Sequence, residues 1–150
     1  RSFKTARTNE YAIEILKEYF PKKRIIDLDL KKNDKIPYEG ILHLDCTFNP
    51  IGKDKCIIYK NGFVDESDYE LVVDIFGEEN SFNITDEEMF EMNPNIFSIS
   101  PEVVVSDHTF TRMNKHLRDV WGFTVEEIPY REVSKMGGLL RCSTMPLVRE

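Results

Sequence analysis

Near the end of the chain, a short stretch carries the residue type that nucleophilic chemistry needs. Gly137-Gly138 leads through a short apolar run to Cys142, which directly follows Arg141. Glycines allow close backbone approach and unusual backbone angles, and a neighbouring cation favours the reactive thiolate form of a cysteine. The alternative at this point is a buried core cysteine on a strand, because free cysteines are among the most buried residues.

A second stretch holds a histidine and a carboxylate. The alternation of apolar and polar residues over 41–45 predicts a strand with His43 and Asp45 on one face. Histidine can move protons for a thiol nucleophile, and a carboxylate matches a planar guanidinium with two parallel hydrogen bonds. Because such groups need only meet in space, Cys142, His43 and Asp45 together favour acyl or amidino transfer. The alternative is a surface His-Asp pair without function.

Composition excludes several other classes of protein. The 150 residues suffice for one domain or part of a larger one, with 41% hydrophobic and 31% charged residues. A net charge of −7 argues against a nucleic-acid partner, and no apolar run approaches the roughly 20 residues that span a membrane. Three scattered cysteines indicate a reducing, cytoplasmic setting, and their spacing disfavours zinc. We expect no metal and no cofactor.

The elements that must position these residues form a recurring series. The sequence predicts a helix over 9–20 and a strand over 26–30. Two series of strand-strand-helix-strand follow, first with strands 41–45, 56–60 and 81–84 around helix 67–76, then with strands 96–100, 103–106 and 124–128 around helix 109–121. A final strand over 139–143 carries Cys142. Because such a unit cannot bury its sheet face alone, we expect part of a closed ring of units.

The motifs resemble those of a known superfamily. His-Leu-Asp-Cys-Thr-Phe at 43–48, with Gly137-Gly138 leading into 142–150, is similar to the guanidino-group-modifying enzymes. These are the arginine deiminases, the dimethylarginine dimethylaminohydrolases and the amidinotransferases. Residues 2–16, with Arg7-Thr8-Asn9 opening the helix, resemble the segment that supplies an arginine for the substrate carboxylate.

The resemblance implies a pentein fold, an α/β propeller with five-fold pseudosymmetry built of ββαβ units. The chain would be roughly the C-terminal half of one catalytic domain: a partial αβ unit over 1–30, units over about 41–92 and 95–128, and a catalytic cysteine strand over about 137–147. The N-terminal half of the same protein would complete the fold and add acidic residues to the site. A homodimer stays open.

The resemblance also implies a mechanism. Cys142 attacks the guanidinium carbon while Asp45 holds the guanidinium nitrogens. His43 protonates the departing nitrogen and then activates water or an amine acceptor. Arg7 pairs with the substrate carboxylate, and Gly137-Gly138 supports the site.

Three functions remain open from the sequence. The leading expectation is a hydrolase acting on arginine or a substituted arginine. The tail over 145–150 resembles arginine deiminases, whereas the short spacing from His43 to Cys142 resembles dimethylarginine hydrolases and amidinotransferases. The first alternative is therefore an amidinotransferase. The second is a non-catalytic pentein, such as the ribosome-binding initiation factor of that fold.

Overall fold

The computed structural model describes residues 8–33, 35–36, 40–145 and 147, so Arg7 lies outside the described residues. Helix α1 spans Glu10–Tyr19 and begins at Asn9, whose side chain accepts a hydrogen bond from the backbone N–H of Ala12. This confirms the predicted helix over 9–20, because an asparagine side chain can satisfy a backbone donor that the first helical turn leaves unpaired.

The predicted strand over 26–30 is wrong as a ladder strand. Only Leu30 forms an isolated antiparallel bridge, with Phe63. The segment is held instead by Val64 N–H donating to Asp29 O at 2.9 Å and Lys31 N–H donating to Gly62 O at 2.9 Å. Its alternating pattern therefore reflects an extended segment beside a loop.

The first ββαβ unit consists of β1 (Phe48–Ile51), β2 (Lys55–Ile58), α2 (Glu66–Phe76) and β3 (Ser81–Asn83). Strands β1 and β2 pair antiparallel, and β3 returns parallel to β2 after the helical crossover. The short helix α3 (Asp86–Phe90) follows, opened by a capping box between Thr85 and Glu88.

The second unit repeats this arrangement with β4 (Phe97–Ser98), β5 (Val103–Asp107), α4 (Thr111–Asp119) and β6 (Thr124–Ile128). Strand β4 pairs antiparallel with β5, and β5 pairs parallel with β6 over five residues. The predicted ββαβ repeat is thereby confirmed. Two short helices, α5 (Arg131–Ser134) and α6 (Leu140–Ser143), follow it.

A continuous apolar core supports both units. Ile57 and Ile58 of β2 and Met113 and Leu117 of α4 are completely buried in it. A polar link also joins the units, because Arg112 of α4 pairs with Glu88 and donates to Asn83 O. These contacts fix α4 relative to α3 and to the end of β3.

The predicted strand over 41–45 is wrong. Leu44–Cys46 forms a single 3₁₀ turn, closed by Cys46 N–H donating to His43 O at 3.1 Å and Thr47 N–H donating to Leu44 O at 2.9 Å. The pairing of the first unit therefore begins only at β1. Since alternate residues of a turn do not share a face, the shared-face argument for His43 and Asp45 fails.

The predicted strand over 139–143 is also wrong, because Cys142 lies in helix α6. Gly137 and Gly138 have φ angles of 81° and 134°, which redirect the chain before the helix can begin. Hydroxyl groups then close the turn, as Ser143 Oγ donates to Leu139 O and Thr144 Oγ1 donates to Leu140 O.

Within the residues that the structure describes, no helix is long and apolar enough to cross a membrane. The same residues contain no group of three or more His, Cys, Asp or Glu side chains that could hold a metal ion.

Candidate functional site

Cys142 is exposed, so the alternative of a buried core cysteine is excluded. Helix α6 presents it directly after the two glycines. A Cβ atom on Gly138 would lie 2.9 Å from Cys142 Cβ and 3.4 Å from its Sγ. The position of Cys142 therefore requires glycine at 138, for its backbone angle and for its lack of a side chain.

Asn95, in the segment just before β4, holds this helix in place. Its Oδ1 accepts hydrogen bonds from Leu139 N–H at 2.9 Å and from Cys142 N–H at 3.2 Å. Its backbone oxygen accepts a third from Arg141 N–H at 3.1 Å. One completely buried residue thus orients the turn that carries Cys142.

The same amide brings Cys142 and Asp45 together. Asn95 Nδ2 donates to Cys142 Sγ at 3.2 Å and lies 3.4 Å from Asp45 Oδ2. These residues come from three separate segments: the 3₁₀ turn before β1, the segment before β4, and α6. The sulfur and the carboxylate therefore flank a single amide group.

Arg141 and Asn49 extend this polar network. Arg141 Nη1 donates to Asn49 Oδ1 at 2.7 Å, and Arg141 Nε lies 3.6 Å from Asp45 Oδ2. Asn49 Nδ2 donates to Pro94 O at 2.6 Å and to Ile96 O at 3.3 Å, on either side of Asn95. Arg141 therefore anchors α6 and balances the charge of Asp45.

One oxygen of Asp45 has no hydrogen-bond partner. Asp45 Oδ1 is buried, and it accepts no hydrogen bond from any residue that the structure describes. Leaving a buried acceptor unpaired costs about 1–3 kcal/mol. A bound group with an N–H aimed at this oxygen would recover that free energy.

His43 lies directly before the turn that carries Asp45. Its side chain is exposed, and its ring makes no hydrogen bond with the described part of the chain. The structure thus places His43 next to the turn that carries Asp45, but it gives no hydrogen bond between His43 and Cys142. The candidate Arg7 falls outside the described residues.

The three cysteines have different surroundings. The pKa of Cys46 is raised to about 11, chiefly by burial; a hydrogen bond with the His43 backbone opposes the rise, and the charges of Asp45 and Cys142 contribute to it. Burial also raises the pKa of Cys56. Both of these thiols are buried and stay protonated at neutral pH. Cys142, by contrast, is exposed.

Sequence reasoning missed Asn95 and Asn49, and it placed Arg141 on the wrong element. The available signal was the polar run Asn93-Pro94-Asn95 immediately before the apolar start of the second unit. Polar residues completely buried at the entry to a strand must find hydrogen-bond partners, and here their partners include the site residues.

Two sequence comparisons show which known proteins this chain resembles. The sequence profile described as "Arginine deiminase" matches residues 62–149. A protein of Bacillus subtilis (strain 168), described as "Uncharacterized protein YkgA", is 31% identical over 149 residues, covering 95% of this chain and 46% of that protein.

Solved structures agree on the fold. The product-bound N-terminal domain of ArgZ, an arginine dihydrolase from the ornithine-ammonia cycle in cyanobacteria, has a TM-score of 0.77 at 17% identity, covering 95% of this chain and 48% of that one. SxtG, an amidinotransferase of the saxitoxin pathway from Microseira wollei, has a TM-score of 0.70 at 19% identity, covering 95% and 40%.

The chain thus spans about half the length of these relatives. The predicted pentein-type α/β fold of ββαβ units is confirmed by the likeness to those domains. The chain belongs to the arginine deiminase family.

Proposed function

We propose that the protein hydrolyses a C–N bond in the guanidino group of arginine or a substituted arginine, with Cys142 as the nucleophile. The observation that carries this proposal is the Asn95 amide between Cys142 Sγ, at 3.2 Å, and Asp45 Oδ2, at 3.4 Å. An exposed thiol beside an anion suits a planar, positively charged substrate. The family of the chain is consistent with that substrate class.

Asp45 is proposed to bind the guanidinium. Its buried and unpaired Oδ1 can accept an N–H of the substrate, and a hydrogen bond between opposite charges is about twice as strong as a neutral one. Arg141, which lies 3.6 Å from the other oxygen, holds the carboxylate in place. The substrate carbon would then lie close to Cys142 Sγ.

The proposed reaction has two half-reactions. The Cys142 thiolate forms an S–C bond to the guanidinium carbon, and His43 donates a proton to the departing nitrogen as the C–N bond breaks. The leaving group is ammonia from arginine or an amine from a substituted arginine. A water molecule then gives its proton to His43 and attacks the amidino carbon, and the S–C bond breaks to regenerate the thiolate. With arginine, the sum is arginine plus water giving citrulline plus ammonia.

The remaining groups are proposed to come from beyond the described residues. Arg7 is assigned to the substrate carboxylate, a pairing that would fix the far end of the substrate. Since the chain spans about half of its relatives, we propose that the N-terminal half of the same protein completes both the propeller and the site. The proposed location is the cytoplasm.

An amidinotransferase is the second candidate, favoured by the structural likeness to SxtG. In that reaction an amine replaces water in the second half-reaction. A non-catalytic pentein is the third reading, and the joint presence of Cys142, His43 and Asp45 argues against it.

Incubation of the full-length protein with L-arginine, with and without glycine, tests the proposal. Citrulline formed without glycine supports the hydrolase. Ornithine and ammonia without glycine would mean that hydrolysis continues, as the name arginine dihydrolase implies for ArgZ. Guanidinoacetate formed only with glycine would support the transferase.

The absence of citrulline, ornithine and guanidinoacetate would contradict both enzyme readings if a haloacetamidine also leaves Cys142 unlabelled. Cys46 and Cys56 serve as internal controls, because both are buried and should stay unlabelled in the folded protein.

A further inference from the structure

We infer that Asn95 is the positioning residue of Cys142: its amide fixes the turn that carries the sulfur and donates a hydrogen bond to that sulfur. The inference rests on the proposed function, because it concerns the same nucleophile. It adds a residue that the motifs around His43 and Cys142 do not contain.

The first support is the rigidity of Asn95 itself. The residue is completely buried, and its backbone N–H donates to Met92 O at 2.9 Å. The carbonyls of Pro94 and Ile96 on either side are held by Asn49 Nδ2. A side chain anchored on both sides can impose its geometry on α6.

The second support is that the hydrogen bonds fix the orientation of the amide. Oδ1 faces two backbone donors, the N–H groups of Leu139 and Cys142. A flipped amide would direct its NH₂ group at both donors and leave them unpaired. The NH₂ group must therefore face Cys142 Sγ and Asp45 Oδ2.

The third support is the charge around the sulfur. Asp45 and Cys46 face Cys142 from the 3₁₀ turn, where His43 also lies, and Arg141 comes from α6 itself. A thiolate beside the Asp45 carboxylate would be disfavoured by like-charge repulsion. The Asn95 NH₂ group lies between the sulfur and this carboxylate and donates a hydrogen bond to each, so its loss would remove the donor that the two groups share.

The test is the pH profile of Cys142 alkylation by iodoacetamide in the full-length Asn95→Asp variant. The substitution keeps the shape and one acceptor oxygen for the two backbone donors, but it replaces the donor with a second carboxylate. We expect the midpoint of the profile to rise by about one unit or more. We also expect the alkylation rate at neutral pH and kcat/KM to fall roughly tenfold or more.

Asn114→Asp is the matched control. Asn114 is a completely buried amide in α4, bonded to Ser106 Oγ and to Asp107 O rather than to the site. The Asn114→Asp substitution should lower the melting temperature without changing the pH midpoint of Cys142 alkylation. A midpoint and a rate within twofold of wild type in Asn95→Asp would overturn the inference.

If the Asn95→Asp variant does not fold, a measurement on the wild-type protein still tests the inference. The Asn95 side-chain NH₂ resonance of ¹⁵N-labelled protein should shift with pH in step with Cys142 alkylation, and this shift should vanish in Cys142→Ser. An Asn95 NH₂ resonance whose chemical shift does not change over the pH range of Cys142 alkylation would overturn the inference. A shifted midpoint in a protein that makes no product from arginine or from a substituted arginine would leave Asn95 as the positioning residue and reject the proposed function instead.

Discussion

Two kinds of buried residue build this molecule. Ile57 of β2 and Leu117 of α4 are completely buried apolar side chains inside the regular ββαβ units. Asn49 and Asn95 are just as buried, but they are amides that bond to backbone groups and to site residues. The first kind stabilises the fold by removing apolar surface from water. The second kind fixes the orientation of the segments to which its amides bond.

This difference separates stability from activity. The apolar side chains of Ile57 and Leu117 hold the regular units together, and neither residue takes part in the hydrogen bonds around Cys142. The amides hold short irregular segments in which Cys142 and Asp45 meet. Substitutions in the two groups should therefore change different measured quantities.

The largest expected effect is that of Cys142→Ser on activity. Loss of a covalent nucleophile should lower kcat by roughly 10⁴-fold or more, while the free energy of unfolding should hardly change, because Cys142 is exposed. Steady-state kinetics and urea unfolding of the full-length protein measure both. Residual activity above about 1% of wild type would contradict the role of Cys142.

Leu117→Ala should show the opposite pattern. Truncation of a completely buried leucine costs about 2–5 kcal/mol of unfolding free energy, whereas kcat per folded molecule should stay within about twofold. Urea unfolding and active-site-normalised kinetics test this. Val120→Ala is the control, since Val120 is 65% exposed beside the same helix and should cost under about 0.5 kcal/mol.

Gly138→Ala should affect both quantities, because this glycine belongs to the site and to the backbone. The new Cβ would lie 2.9 Å from Cys142 Cβ at a φ of 134°, so we expect a loss of about 1–3 kcal/mol and a roughly tenfold loss of kcat/KM. Gly137→Ala is the matched control: it is also strained, with φ of 81°, but has nothing within 4 Å. Equal kinetic losses in the two variants would show that strain alone, and not contact with Cys142, is responsible.

Glu88→Gln should have the smallest effect, confined to stability at neutral pH. Burial raises the pKa of Glu88, but hydrogen bonds from Arg112 and the Thr85 backbone outweigh it and lower the pKa from its usual value. The ionised group therefore stabilises the fold fully above the usual carboxyl pKa, and this contribution is lost as the pH falls through the lowered pKa. We expect a loss of about 1 kcal/mol at pH 7 that disappears in acid, measured by urea unfolding across pH. A constant difference across pH would contradict the ion pair as its source.

The same contrast explains what could be predicted from sequence. Helices α2 and α4 follow from apolar periodicity, because a helix buries one face against a core, and the strands predicted over 103–106 and 124–128 match β5 and β6 to within one residue. The strand over 41–45 was wrong because alternation over five residues also occurs by chance in a turn. The strand over 139–143 was wrong because Gly137 and Gly138 turn the chain into a short helix. Leu42 and Leu44, the apolar residues that alternate with His43 and Asp45 in this stretch, are exposed.

The site depends on contacts that no local pattern encodes. Arg141 and Asn49 are 92 residues apart in sequence, and Asn95 joins α6 from 47 residues upstream of Cys142. Cys142, His43 and Asp45 were named from residue chemistry and family resemblance. Their roles remain predictions, although the structure brings Cys142 and Asp45 to one amide.

Covalent chemistry at Cys142 is tested most directly by mass spectrometry of the full-length protein, quenched in acid during turnover of L-arginine. The hydrolase predicts an adduct on the Cys142 peptide with the mass of arginine less ammonia, absent from the Cys46 and Cys56 peptides. An adduct of the amidino group alone would indicate the transferase instead. Turnover with no adduct on the Cys142 peptide, or with the adduct on another residue, would contradict the assignment of Cys142 as the nucleophile.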